Sequence, residues 1–303
     1  MKSWNLRIIG AHFITIILWS SAFPAIRVAL TAYSPEHISL LRLLVGSSCL
    51  LILALFLKIR LPDKKDLPFI LLLGFLAFSV YHVALNYGEQ TVNAGIASLL
   101  VSIAPLFTAL LALLFFKERF GMFGWLGAFI ALTGVVFISF GNGNEIVSTP
   151  TGILLILIAA LAESFYFVFQ SAYLQKYGFI PFTMYTIWGG TLSMLWFVPG
   201  LTQEISQAPL DITLTIVYLG IFPTVIPYFA LAYVTTKSGA AEATSSLYLT
   251  PAFAFLIAWV WLHEVPTFYQ IVGGLITLLG VSISNMKERK TTIVSTVKRF
   301  NQL

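Results

Sequence analysis

Long apolar runs, separated by short polar connectors, fill most of the chain. Strands of a transmembrane barrel would be about 10 residues long and alternate in polarity, whereas these runs are about twice as long and apolar throughout. A helical crossing needs ~20 mostly apolar residues, and turn-forming pairs such as Ser34-Pro35 and Pro199-Gly200 separate the runs. The pattern predicts an all-α integral membrane protein with ten transmembrane helices, at about 8–30, 36–57, 67–88, 94–116, 122–140, 152–174, 182–200, 211–234, 240–262 and 267–286.

Composition supports a membrane protein. Of the 303 residues 58% are hydrophobic and 10% are charged, with a mean hydropathy of +0.92, against roughly 25% charged residues in soluble domains. The lipid bilayer accepts so much apolar surface when helices satisfy the backbone internally. The net charge of +5 does not indicate a nucleic-acid partner, because the basic residues sit in the short connectors between apolar spans.

The positions of Lys and Arg predict the orientation. With a cytoplasmic N-terminus, fifteen of the 17 basic residues fall in cytoplasmic segments and none in the five outer connectors, while Arg27 and Arg42 lie within spans. Cytoplasmic connectors of membrane proteins carry such an excess of positive charge. We therefore predict a multi-pass protein of the cell (cytoplasmic) membrane with both termini cytoplasmic. The basic tail, 287–303, is expected to contact anionic lipid.

The sequence repeats at a constant offset of 146 residues. Five helices in each half would turn the second half upside down relative to the first, an arrangement that recurs in secondary transporters. We therefore predict two inverted five-helix repeats, 1–141 and 142–286. The alternative is gene duplication in a membrane protein of any function. The matched pairs include Gly74 with Gly220, His82 with Tyr228, Pro105 with Pro251, Glu118 with Glu264, Gly127 with Gly273 and Gly134 with Gly280.

Glu163 is the foremost candidate for a functional residue, since it lies in the middle of the sixth predicted span. An ionised carboxylate costs ~3 kcal/mol or more to bury in hydrocarbon, so Glu163 should face a cavity, pair with a cation or be protonated. Tyr166 and Gln170 follow at i+3 and i+7 and share one helical face with it. The alternative is a structural, hydrogen-bonded carboxylic acid.

Other polar residues within spans are weaker candidates. Arg42 could bind a substrate carboxylate through its planar fork of donors, or serve as a structural partner of a helix end or of Glu163. His82 and Asn86 lie one turn apart on the third span, where packing is the alternative role. Ser102 and Tyr248 correspond at the repeat offset, each three residues before a proline, and the proline kink could serve a cavity or only helix packing.

Charged residues near the span ends are interpreted as structural. Arg27 is expected to extend its side chain to the membrane surface. Glu118 and Glu264 each end a span, and each is expected to cap the amino end of the helix that follows it. All four histidines are scattered along the chain, so no metal site is predicted.

Six segments of the sequence together form a pattern typical of one transporter family: Trp19 to Arg27, Leu41 to Leu44, Pro105 to Glu118, Gly127 to Val135, Pro251 to Glu264 and Gly273 to Val281. Through these segments the chain resembles the drug/metabolite transporter superfamily in its ten-helix EamA-like family. The resemblance covers about residues 8–285 and implies two five-helix repeats around a central cavity, export of amino acids or other metabolites, and a cavity-lining role for Trp19. Leu161-Ala162-Glu163 is also similar to the segment in which small multidrug resistance proteins exchange protons for cationic substrate.

We therefore predict a secondary transporter that exports small metabolites, with amino acids as one expected substrate class, through a central cavity by alternating access. The alternative within transport is a proton-coupled exporter of cationic drugs. An intramembrane enzyme should show at least two convergent acid, base or metal groups, and a scaffold would not need inverted repeats. The sequence contains no P-loop, HExxH or GxSxG motif, and no cofactor is expected. The expected partners are a small-molecule substrate, protons and lipid, and the protein is expected to be a monomer or homodimer.

The predicted orientation can be tested by cysteine labelling in intact cells that carry a Cys49→Ser background. An impermeant thiol reagent should modify a cysteine placed at Asn144, in a predicted outer connector, and should spare one placed at Lys64. The reverse pattern would contradict the whole topology.

Overall fold

The computed structural model describes residues 6–116, 122–139, 149–238, 243 and 249–285. Within these ranges the protein is almost entirely helical and has no β-strand, so the prediction of an all-α protein is confirmed. The helices are α1 (Leu6–Ala29), α2 (Pro35–Leu57), α3 (Leu67–Gly74), a π-helix (Phe75–Val80), α4 (Tyr81–Glu89), α5 (Ala94–Val101), α6 (Ala104–Phe116), α7 (Met122–Ser139), α8 (Pro150–Tyr177), α9 (Phe179–Met194), a 3₁₀ turn (Leu195–Phe197), α10 (Leu201–Gln207), α11 (Leu210–Ser238), α12 (Thr250–Leu262) and α13 (Phe268–Asn285).

Six helical stretches in the described ranges are long and apolar enough to cross a membrane. The four other predicted spans coincide with α7, α9, α12 and α13, which are shorter, and part of 240–262 lies outside the described residues. The count of ten crossings therefore stays a prediction. The six stretches are Leu6–Ala29, Pro35–Leu57, Leu67–Glu89, Ala94–Phe116, Pro150–Tyr177 and Leu210–Lys237.

Large apolar side chains cover the outside of the bundle. Phe13 is 61% exposed, Leu55 72%, Phe129 69% and Trp196 87%. Buried positions, in contrast, include Arg42, His82, Glu89 and Glu163. A protein in a lipid bilayer requires this arrangement, because hydrocarbon solvates apolar side chains well and polar side chains poorly.

Two irregularities interrupt the predicted helices, and a third helix begins earlier than predicted. The third span contains the π-helix, and the fourth breaks at Ser102 and Ile103 between α5 and α6. The α9 helix begins at Phe179, ahead of the predicted boundary at 182, and it includes Pro181. A proline fits the first turn of a helix, because the N–H that it lacks would have no intrahelical acceptor there.

Glycines stand where helices approach most closely. A Cβ at Gly46 would lie 2.9 Å from the carbonyl oxygen of Gly220, and one at Gly74 would lie 2.9 Å from the backbone nitrogen of Gly190. Such distances mean that the backbones themselves are in contact. Because lipid provides no hydrophobic driving force between helices, close packing through small residues takes its place.

The glycines of α7 and α13 make reciprocal contacts. A Cβ at Gly273 would lie 2.6 Å from the carbonyl oxygen of Gly134, and one at Gly280 would lie 2.7 Å from that of Gly127. Gly127 matches Gly273 and Gly134 matches Gly280 at the 146-residue offset. The contact of Gly273 with Gly134 therefore corresponds to the contact of Gly127 with Gly280.

The larger helix contacts show the same exchange. The α1 helix packs on α11 and α12, while α8 packs on α4 and α6; α2 packs on α11, while α9 packs on α3. The α7–α13 pair maps onto itself. These helix contacts therefore follow the 146-residue offset of the sequence.

The α7–α13 contact generates a stability prediction. Gly134→Ala should destabilise the protein by about 1–3 kcal/mol through overpacking, because the new methyl group would meet the backbone nitrogen of Thr277 at 2.5 Å and the oxygen of Gly273 at 2.6 Å. Thermal unfolding in detergent should therefore shift to lower temperature.

Gly10→Ala is the matched control, since Gly10 lies inside α1 and a Cβ added there would meet no other atom within 4 Å. Its higher helix propensity should leave the melting temperature unchanged or raised. A Gly134→Ala variant as stable as Gly10→Ala would contradict the close contact.

Candidate functional site

A small cavity lies near the midpoints of α1 and α8. Its volume of about 20 Å³ holds about one water molecule. Helices from both halves of the chain contribute to its wall, and the wall combines charged, aromatic and apolar side chains. The lining residues are Trp19, Ala22 and Phe23 of α1, Arg42 of α2, Tyr81, His82 and Leu85 of α4, Val101 of α5, Glu163 of α8, Tyr228 of α11 and Thr250 of α12.

Glu163 has one anchored and one unanchored oxygen. The Tyr228 hydroxyl donates a hydrogen bond of 2.9 Å to its Oε1, and no described residue hydrogen-bonds to its Oε2. Glu163 is 2% exposed and Arg42 is 3% exposed. Both line the same cavity, yet no ion pair within the described ranges joins them. The cavity therefore lies between a basic side chain, Arg42, and an acidic side chain, Glu163, that are not paired with each other.

Arg42 is fixed by a proline in the facing helix. Pro223 has no N–H, so the carbonyl of Leu219, four residues earlier on α11, loses its helical donor. The Thr224 hydroxyl donates to this carbonyl oxygen at 2.8 Å and accepts from Arg42 Nε at 2.5 Å. A threonine beside a proline thus holds the guanidinium on the cavity wall.

Trp19 is held by the second proline of α11 in the same way. Pro227 leaves the carbonyl of Pro223 without a helical donor, and the indole Nε1 of Trp19 donates to it at 3.2 Å. The Trp19 ring meets the Tyr228 ring edge-on, with centroids 5.3 Å apart. The two prolines together place Arg42, Trp19 and Tyr228 around one space.

His82 lies just after the π-helix. Its Nδ1 is 2.5 Å from the carbonyl oxygen of Phe78, so in the neutral ring Nδ1 carries the proton and Nε2 is the acceptor. No described residue hydrogen-bonds to Nε2. Short π-helical segments often occur at functional sites, and this one places Tyr81 and His82 side by side on the cavity wall.

Asn86 and Ser102, two of the predicted site residues that do not line the cavity, serve helix packing and a helix break. Asn86 donates to the carbonyl oxygen of Pro35 at 3.2 Å and to Ser39 Oγ at 2.8 Å, which ties α4 to α2. Ser102 donates to the carbonyl oxygen of Leu99 at 2.6 Å, at the break between α5 and α6. Tyr248 falls outside the described residues.

The predicted polar stripe of α8 continues beyond the cavity. Tyr166 and Gln170 are both 1% exposed, and neither lines the cavity. The Tyr166 hydroxyl lies beside Thr183 of α9. No described residue hydrogen-bonds to either amide atom of Gln170. Buried polar groups therefore extend from Glu163 along one face of α8.

Sequence reasoning missed part of the wall. No pattern in the sequence singles out Tyr81, which lies within an apolar span. Two of the missed residues could have been found from the sequence. Thr224 directly follows a proline, and Tyr228 matches His82 at the repeat offset. Among the described residues, no group of three or more His, Cys, Asp or Glu side chains could hold a metal ion.

A second cluster of charge lies at one end of the bundle. Arg27 Nε is 3.2 Å from Glu264 Oε1, and Arg27 Nη1 donates to the backbone oxygen of Glu89 at 2.5 Å. Glu264 Oε2 accepts from the backbone N–H of Ala94 at 2.9 Å. The expectation that Glu264 caps the helix after it is wrong, because Glu264 caps α5, which only the tertiary fold brings near. Arg27 has protein partners rather than extending alone to the surface, and Glu118 falls outside the described residues.

The opposite end carries a more exposed cluster. Lys176 donates to Asp63 at 2.5 Å and to Asp66, and the Tyr177 hydroxyl also donates to Asp66. Burial acts to raise the pKa of Asp66, but hydrogen bonds from Lys176 and Tyr177 outweigh it and lower that pKa below its usual value. The contacts join the end of α8 to the segment between α2 and α3.

Comparison with protein families assigns the chain. The model of the EamA-like transporter family matches twice, at residues 6–140 and 150–286. The chain belongs to the EamA-like transporter family. It is therefore a multi-pass membrane protein of a transporter family, and the predicted family resemblance is confirmed.

Relatives within the EamA-like family align along nearly their full length. The chain is 55% identical to the uncharacterized transporter YdfC of Bacillus subtilis, over 96% of this chain and 94% of that protein. It is 37% identical to the probable terminal-alkyne amino-acid exporter of Streptantibioticus cattleyicolor, over 92% and 93%. A crystal structure with a TM-score of 0.61 and 19% identity, covering 90% of this chain and 94% of that one, shares the fold.

The Arg42 anchor gives a prediction for this EamA-like protein. Thr224→Val keeps the shape of the side chain but leaves Arg42 Nε and the Leu219 carbonyl without their hydroxyl partner. An unsatisfied buried polar group costs about 1–3 kcal/mol, so the variant should unfold at lower temperature in detergent. Thr224→Ser, which keeps the hydroxyl, should restore most of the loss.

Thr215→Val is the matched control on the same helix. Thr215 is half-buried, and its hydroxyl donates a solvent-exposed hydrogen bond of 2.9 Å to the carbonyl oxygen of Asp211. If Thr224→Val and Thr215→Val had equal stability, the role of Thr224 in fixing Arg42 would be refuted.

Proposed function

We propose that the protein is a secondary transporter that exports small metabolites, with amino acids as its substrate class, across the cytoplasmic membrane. The observation that carries the proposal is the enclosed cavity, in which a guanidinium and a carboxyl group face a shared space without pairing to each other. The name of the 37% identical relative, a probable terminal-alkyne amino-acid exporter, supports the same class.

The polar groups of the cavity suit a zwitterion. Arg42 offers planar donors that match a substrate carboxylate, while Glu163 Oε2 offers an acceptor to a substrate ammonium. Ala22, Phe23 and Val101 add an apolar wall for a side chain. A substrate that binds both groups would give Glu163 Oε2 the hydrogen bond that no described residue supplies, which is a source of specificity.

Transport requires the cavity to open. At about 20 Å³ it is too small for an amino acid, so the structure corresponds to a closed arrangement. The two family matches and the exchanged helix contacts support two inverted units, 1–141 and 142–286, that rock against each other. In this proposal, ten helices cross the membrane and both termini are cytoplasmic.

Arg42 disfavours the alternative of a cationic-drug exporter. A substrate with positive charge alone would be repelled by the guanidinium, and Thr224 holds that guanidinium on the cavity wall. A proton remains compatible with the site, because it would neutralise Glu163 without occupying the space that a substrate needs.

Transport by purified protein in liposomes tests this function directly. Radiolabelled amino acids, other small metabolites and a quaternary ammonium dye would be supplied singly, with and without a pH gradient. The proposal expects amino acids to be carried and to compete with one another. Transport of the cationic dye without transport of any amino acid would contradict it.

Glu163→Gln tests the coupling role of the carboxyl group. The amide imitates the neutral form and still accepts a hydrogen bond from Tyr228, so the variant should fold and exchange substrate for substrate. Acceleration by a pH gradient should be lost. Glu36→Gln is the control, since Glu36 accepts from Tyr87 away from the cavity. An unchanged response of Glu163→Gln to the gradient would leave Glu163 with a structural role only.

A further inference from the structure

Glu89 is a buried carboxyl group that the proposed transport site does not use. Its side chain is 0% exposed, and no described residue hydrogen-bonds to either carboxyl oxygen. An ionised carboxylate in such surroundings costs several kcal/mol unless it is paired. The arrangement described here therefore suits a protonated Glu89.

Helix α4 connects Glu89 to the cavity. Glu89 follows His82 by seven residues and Leu85 by four, so the three lie on one face of the helix. Seven residues of helix span about 10 Å. Since His82 and Leu85 line the cavity, Glu89 stands on the line from the cavity to the end of the bundle that holds Arg27 and Glu264.

Of the charged groups near Glu89, Arg27 is the one that could move to pair with its carboxylate. The charged side chains in electrostatic range are Arg27 of α1, Glu264 after α12 and Arg42 of α2, with the Tyr81 hydroxyl on its own helix. Thr224 fixes Arg42. Helix α5 has no titratable residue, and at Gly88 the neighbours on α8 are Ile156 and Gly152. Arg27, in contrast, already donates to the backbone oxygen of Glu89 at 2.5 Å.

Arg27 also joins two segments at this end of the bundle. Its ion pair with Glu264 joins α1 to the segment after α12, and Glu264 in turn holds the first N–H of α5. The side chains of Arg27 and Glu264 are 19% and 11% exposed, so water screens the pair little. Moving Arg27 from Glu264 to the Glu89 carboxylate would untie these segments.

We propose that Glu89 is a proton-binding site whose occupancy decides whether Arg27 holds Glu264 and keeps this end of the transport pathway closed. With the proton bound, Glu89 is neutral and Arg27 stays on Glu264. When the proton leaves to water, the Glu89 carboxylate draws Arg27 away and the end opens. The inference rests on the proposed transport function, since it assigns this end of the bundle a gate.

Labelling of a cysteine in the cavity wall tests the gate without any substrate. The reporter is Ala22→Cys in a Cys49→Ser background, in the full-length protein reconstituted in liposomes. An impermeant maleimide would be applied to each face over about pH 5.5 to 8.5. Dividing each rate by that of the unfolded protein removes the pH dependence of the thiol itself.

The normalised rate from the Glu89 side should rise about tenfold between the lowest and the highest pH, within the usual range for two coupled sites. Glu89→Gln should stay slow at every pH, because the amide cannot ionise. Glu264→Gln should be fast at every pH, because the amide has no negative charge to hold Arg27 in an ion pair. Glu89→Asp should keep the pH dependence, and Glu36→Gln should behave as the parent protein.

Three results would overturn the proposal. They are a Glu89→Gln variant with the parent pH dependence, a Glu264→Gln variant that stays slow at low pH, and a parent protein whose labelling does not change with pH. Misfolding would speed labelling of Glu89→Gln rather than slow it. A parent protein that shows the gate but transports no amino acid would count against the proposed function and not against Glu89.

Discussion

Every backbone carbonyl that loses its helical donor inside a membrane must find another, because hydrocarbon supplies none. Pro223 and Pro227 create two such carbonyls, one turn apart on α11. Thr224 satisfies the first and receives Arg42, and Trp19 satisfies the second directly. The two prolines of α11 thus determine that Arg42 of α2 and Trp19 of α1 face the cavity.

Close backbone contact makes this arrangement rigid. The Gly46–Gly220 contact joins α2 to α11, one turn along α2 from Arg42 and one turn along α11 from Thr224. A larger residue at either glycine would push the two helices apart and stretch the 2.5 Å bond between Arg42 and Thr224. The close packing of the two glycines and the position of the Arg42 guanidinium therefore depend on each other. This dependence explains how polar side chains can be held in so small a space.

The sequence predicted features that depend on local pattern, and it missed those that depend on distant partners. The six long apolar spans and the buried place of Glu163 follow from apolar runs alone. The Glu264 cap on α5 joins positions 170 residues apart in the chain, which no local rule could connect. Glu89 was overlooked because it ends an apolar run, where a carboxylate normally reaches water, whereas here the segments of Arg27 and Glu264 cover it.

Two polar lines leave the cavity in opposite directions. The first follows α4 from His82 to Glu89, and the second follows α8 from Glu163 to Gln170; α4 and α8 pack against each other, with Gly88 beside Gly152. Each line ends near an ion-pair cluster, but the two clusters differ in exposure. Lys176 and Asp63 are 40% and 57% exposed, against 19% and 11% for the Arg27–Glu264 pair. Exposed pairs contribute little free energy and are screened by salt. The Lys176 end is therefore held more weakly, and the sheltered Arg27 end is where the loss or gain of one charge has the larger effect.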